Sequence, residues 1–199
     1  MNTLETALFG LTSPDPIKFD NSYDTLLLDD DERLNNDLID SIETNHNAPD
    51  LTKTLLQILC FRATQAKKEH RWCQRIQGTF TFSRYLNILL QSTEDVNAGL
   101  RMEAIQCLSD IFEHNMSVSE LNTLKIKYPQ AIYPLCYPQA VDSSVATLEG
   151  IADSDTDVNV QLLAAVTMRK IQKEYASFYK LGLVDNTHYN ELEQCVMHK

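Results

Sequence analysis

The sequence predicts an all-α chain built of stacked antiparallel helical hairpins, and three observations lead there. Only 5 glycines and 6 prolines occur in 199 residues, too few turn formers for a many-stranded sheet. Apolar residues recur three and four apart along most of the chain, the period of helices with one buried face. A stretch beginning at Phe82 returns in related form at Ser144. With 43% hydrophobic residues a sizeable core is available, and the length suits one domain with an appended arm.

Residues 1–22 contain Thr12-Ser13-Pro14-Asp15-Pro16 and few strong helix formers, so they read as a flexible or loosely docked acidic arm. Residues 23–199 then make up a single helical domain. Leu27, Leu34, Leu38 and Ile42 predict a short amphipathic helix over 31–44, ended by Asn45-His46-Asn47-Ala48-Pro49. Asp50 suits the N-cap of the next helix, because a carboxylate accepts the unpaired amide protons of a first turn. Its stripe is Leu51, Leu55, Ile58 and Leu59, extended by Ala63, Ala66 and Cys73, with Gly78 as the stop.

The internal similarity follows. Phe82 to Asn97 reads FSRYLNILLQSTEDVN and Ser144 to Asn159 reads SVATLEGIADSDTDVN. Offset by 62, Leu86 aligns with Leu148, Ser92 with Ser154, and Asp95-Val96-Asn97 with Asp157-Val158-Asn159. After a two-residue slip, Leu100-Arg101 lies beside Val160-Gln161, Ala104 beside Ala164, Leu108 beside Met168 and Ile111 beside Ile171. Each copy reads as a short apolar helix, an acidic turn and a longer amphipathic helix, with Ser92 and Ser154 expected to cap the second helix. The expected core contains Leu55, Leu59, Leu86, Leu90, Leu108, Ile111, Leu148, Met168 and Ile171.

These residues carry a resemblance to HEAT repeats, which pair two antiparallel helices around a short turn. The second helix of that family often starts near an Asp and runs Val-Arg-x-x-Ala-x-x-Ala-Leu. Here the counterparts are Leu100-Arg101-x-x-Ala104-x-x-x-Leu108 and Val160-Gln161-x-x-Ala164-x-x-x-Met168. The resemblance covers roughly 70 of the 199 residues and implies a HEAT-like α-solenoid, with flanking helices as caps. The residues alone also allow an irregular helical bundle of two unrelated hairpins.

Between the copies, Ser117-x-x-Glu120 forms a capping box that opens a short helix to about Lys127. Three Tyr-Pro steps follow, at Tyr128, Tyr133 and Tyr137, where proline removes donors and bars a continuous helix. The last helices are expected over 159–181, stopped by Gly182, and over 187–197.

The net charge of −11 is unevenly placed. Residues 1–50 carry twelve Asp and Glu against Lys18 and Arg33, whereas residues 51–85 carry seven Lys and Arg against Glu69. Overall acidity disfavours nonspecific nucleic-acid binding, which depends on releasing phosphate counterions. The first eleven residues hold no basic residue and make a poor signal peptide. No run of about 18 apolar residues is present to span a membrane. The five cysteines, odd in number, read as reduced thiols. The expected location is the cytoplasm, or another cell's cytoplasm for a secreted effector.

No Walker loop, Gly-x-Ser-x-Gly, His-Glu-x-x-His or dinucleotide fingerprint is present. His70-x-x-Cys73 and Cys195-x-x-His198 have helical ligand spacing, but their meeting in one tetrahedral site requires a geometry that spacing does not supply. No metal or cofactor is therefore expected. Lys67, Arg71 and Arg75 fall four apart on one helix face, a stripe that suits an acidic partner or this chain's own acidic arm. The Tyr-Pro segment offers large, pre-ordered contact area through Tyr128, Tyr133 and Tyr137. The expected function is a noncatalytic protein-interaction module: an adaptor, chaperone-like subunit or regulator, of the kind found in bacterial secretion systems or among their effectors. It would bind a protein partner through a helical groove. The alternatives are an enzyme with Cys73 or Cys136 as nucleophile, or a nucleic-acid-binding HEAT-like protein.

Overall fold

A computed structural model describes residues 3–29, 31, 33–45, 47–68, 82–113, 119, 120, 123 and 138–180. The described residues form eight helices and no strand. They are α1 (Thr3–Leu11), α2 (Pro16–Leu28), α3 (Arg33–Thr44), α4 (Pro49–Lys68), α5 (Phe82–Ser92), α6 (Ala98–Phe112), α7 (Pro138–Ser154) and α8 (Val158–Lys180). None is long and apolar enough to cross a membrane.

The last six helices pair as α3 with α4, α5 with α6, and α7 with α8. The pairs stack so that α4, α6 and α8 form one row and α3, α5 and α7 the other. The turns inside the three pairs, over residues 45–48, 93–97 and 155–157, are short enough to fold each second helix back on the first. The all-α, stacked-hairpin expectation therefore holds, and the stack has one more pair than the sequence similarity revealed. At the other end α1 packs on α2, and α2 on α4.

Burial follows this arrangement. Helix α4 meets α2, α3 and α6, and its Leu55, Leu56, Ile58 and Leu59 are fully excluded from water. Helix α6 lies between α4 and α8 and buries Leu100, Ala104, Ile105, Leu108, Ile111 and Phe112. Of the nine expected core residues, seven are buried; Leu90 and Met168 are packed against the core but partly exposed.

Three local expectations need correction. Residues 3–11 and 16–28 are helical, and Ala7, Leu11 and Leu26 join the main core. Asp15-Pro16 is a start signal: Asp15 accepts from the Ile17 amide at 3.0 Å and proline occupies the first helical position, where no donor is needed. Gly10 makes the α1–α2 contact possible, since a Cβ there would lie 1.9 Å from Ser22 Oγ. Asp50 is not a cap but the second residue of α4, after Pro49.

The remaining two concern the repeat. Ser92 and Ser154 close α5 and α7 rather than opening the next helices. Ser154 Oγ donates back to the Gly150 carbonyl at 2.7 Å. The caps are Asn97, whose side chain accepts from Leu100 N–H, and Asp157, whose carboxylate accepts from Asn159 N–H. The register also differs. Asp95 and Asp155, 60 apart, each stand two residues before the cap and accept from the cap residue's amide, at 2.7 and 2.8 Å, and so are the equivalent residues. The first turn holds two extra residues, Thr93 and Glu94, before its Asp.

Candidate interaction surface

Of the residues singled out from sequence, Lys67 lies on α4. Arg71, Arg75, Tyr128, Tyr133 and Tyr137 lie outside the described residues, as do Cys73, Cys136 and both His-Cys pairs. Two other basic residues of the 51–85 segment do engage the acidic half of the chain. Arg84 pairs with Asp40 and, at 2.7 Å, with Glu43, joining α5 to α3. Arg62 on α4 donates to the Asn35 side chain and to the carbonyls of Leu26, Asp29 and Asp31. Asp29 and Asp31 are held there through their carbonyls, while the carboxylate of each accepts from the amide two residues on.

The described cysteines are poor candidates for covalent chemistry. Cys60 and Cys107 are buried between α4 and α6, where Cys107 Sγ approaches the Leu56 carbonyl at 3.7 Å. The neighbouring Cys60 and burial hold the Cys107 thiol well above its ordinary titration range. Burial, with the two thiols beside it, likewise raises the Tyr85 phenol. A nucleophile requires thiolate, and this pocket opposes its formation. Cys60 and Cys107 are thus expected to react with iodoacetamide only after unfolding. Rapid modification of Cys107 in the native protein, read by peptide mass spectrometry, would contradict the burial.

The edge of the stack formed by the turns carries its main polar order. The fourth residues of α4, α6 and α8 are Thr52, Arg101 and Gln161. Each donates to the turn before its own helix: Thr52 Oγ1 to Asn45 O at 3.2 Å, Arg101 Nη1 to Asp95 O at 2.8 Å, and Gln161 Nε2 to Asp155 O at 2.7 Å. Only arginine is long enough to go further. Its Nε and Nη2 each reach an oxygen of Asp155, both at 2.8 Å, and tie the second pair to the third. The guanidinium and the Asp157 amide hold the Asp155 carboxyl below its ordinary range.

The open feature is on α8. Val160, Ala164 and Ile171 face the core, yet Val158, Leu162 and Val166 are 61, 61 and 63% exposed. At about 100° per residue, these three lie four apart on the far side of the helix. Val96, in the adjoining α5–α6 turn, is 98% exposed. Beyond Val166 the same face carries exposed Arg169 and Lys173. No family model, curated protein or solved structure matches the chain. The α8 surface must therefore be read from its own residues.

Sequence reasoning passed over this stripe although its signal was present. In VNVQLLAAV the residues Val158, Leu162 and Val166 form one helical stripe and Val160 and Ala164 another. A helix with one protected face needs only one of them.

Proposed function

We propose that this chain is a noncatalytic interaction module whose partner packs on the outer face of α8. The observation that carries the reading is the Val158–Leu162–Val166 stripe, three large apolar side chains in line and each more than half exposed. Single exposed apolar residues need no explanation, but a contiguous row favours an apolar counterpart. The partner segment is amphipathic, with apolar residues for the row and an acidic residue for Arg169 and Lys173. The two-row stacking and the turn contacts made by Thr52, Arg101 and Gln161 support the HEAT-like reading of the repeat. An adaptor or regulatory subunit needs no more chemistry than this surface offers.

The test is Leu162→Asp with Val166→Asp. Both side chains are already largely in water, so the thermal midpoint should stay within a degree or two of wild type, as expected for surface changes of about ±0.5 kcal/mol. Partner recovery by cross-linking in the native cell should fall at least about tenfold, equivalent to about 1.4 kcal/mol. A stable double variant that recovers the same partner in equal yield removes α8 from the interface. Loss of dimer sedimentation in the variant would identify the partner as a second copy of the chain.

A further inference from the structure

Arg101 locks the third helix pair onto the second, but the corresponding position between the first and second pairs holds Thr52. The two residues occupy the same place, fourth in their helices and bonded to the turn before them. Their opposite numbers, Asp95 and Asp155, are also alike: each carboxylate is oriented by a backbone amide two residues on. At Asp155 the space between is filled by a guanidinium. At Asp95 the facing threonine ends at its γ atoms, and a cleft of about 270 Å³ lies there, lined by Thr52, Asp95, Glu43, Ile42, Ile88 and Leu100.

Size and lining select the ligand. An engineered cavity of about 150 Å³ takes up benzene, so this one has room for a guanidinium and the methylenes next to it. Asp95 lines one wall and carries a negative charge. Glu43 adds negative charge, although it also pairs with Arg84. Ile42, Ile88 and Leu100 supply the apolar surface along which an arginine stem lies.

We infer that the cleft between the first two helix pairs binds an arginine side chain presented by a protein partner, with its guanidinium on Asp95 and its stem on Ile42, Ile88 and Leu100. A planar fork is favoured over the point charge of lysine, because Asp95 is held as Asp155 is, and Asp155 takes its guanidinium through two parallel bonds. The inference names chemistry that the proposed partner carries, yet it uses no residue of the α8 stripe.

The full-length, isotope-labelled chain is titrated with N-acetyl-arginine methylamide and followed by amide resonances, with the citrulline and lysine analogues as comparators. Saturable shifts are expected at Glu43, Thr52 and residues 91–97, with a dissociation constant on the order of 1 mM, and binding at least about tenfold weaker for uncharged citrulline. Asp95→Asn keeps an oxygen for the Asn97 amide and should weaken arginine binding at least about tenfold. Thr52→Arg should fill the cleft from within, abolish the shifts and raise the thermal midpoint. If that variant does not fold, the Asp95→Asn comparison decides alone. No saturable shift in the wild type, equal shifts with citrulline, or unchanged affinity in Asp95→Asn overturns the inference. None of these results bears on whether Leu162→Asp with Val166→Asp loses its partner, so the two readings fail separately.

Discussion

Arg101→Ala is expected to destabilise the fold by about 3 kcal/mol, near the lower end of the cost of breaking a buried ion pair. The side chains of Arg101 and Asp155 are only 9 and 8% exposed, so the carboxylate left behind cannot recover full hydration. The carbonyls of Asp95 and Val96 lose their guanidinium donor in the same step. Asp155→Asn should cost less, because the amide oxygen still accepts from the Asp157 amide or from one guanidinium nitrogen. The double variant Arg101→Ala, Asp155→Asn should recover part of the single Arg101→Ala loss, since no buried charge remains. Equal urea midpoints for wild type and Arg101→Ala would show that the pair contributes nothing.

The same pair sets an acid limb. Hydrogen bonding to Arg101 lowers the folded-state pKa of Asp155, so between the two pKa values the unfolded chain binds the extra proton. Stability therefore rises with pH in that window. The contribution of Asp155 is complete above its unfolded pKa of about 3.9 and is lost as pH falls through the lower, folded value. In Arg101→Ala the acid limb should be shallower than in wild type, because without the guanidinium the folded and unfolded pKa values of Asp155 draw together and the proton difference between the two states shrinks. Coincident acid limbs would place the pH dependence elsewhere.

Much of the scaffold was legible because it depends on local pattern. The helices now assigned to α3, α5 and α8 begin within a few residues of where periodicity placed them, and both members of the repeated pair stack as neighbours. The third pair was hidden. Helices α3 and α4 meet through a turn without the Asp-x-Asn motif, and Thr52 stands where Arg101 stands in α6. The serines misled because a Ser followed by acids fits a cap, but the decisive signal is an Asp whose carboxylate meets the amide two residues on. Arg101 was visible only as a family letter. Its bond to Asp155, 54 residues away, requires the stack itself. The α8 stripe shows the converse. Its spacing was in the sequence, but a second apolar face becomes informative only once the first is known to be filled.

Leu108→Ala and Leu90→Ala separate what the pattern predicted from what packing decides. Both residues were expected in the core on the same helical spacing. Leu108 is fully excluded from water on α6, the helix held between α4 and α8, so little around it can collapse into the space a methyl would leave. Its truncation should cost about 3–5 kcal/mol, combining lost transfer energy with the cavity term. Leu90 lies near the end of α5 and is only partly buried, so water can enter and less apolar area is lost. Its truncation should cost about 1 kcal/mol. Urea melts monitored by circular dichroism decide between them, provided the slopes match and only the midpoints move. At about 2–4 °C per kcal/mol for a chain of this size, the thermal midpoints should also separate by several degrees. Equal losses would mean that the α4–α6–α8 row is no more tightly packed than the surface of α5.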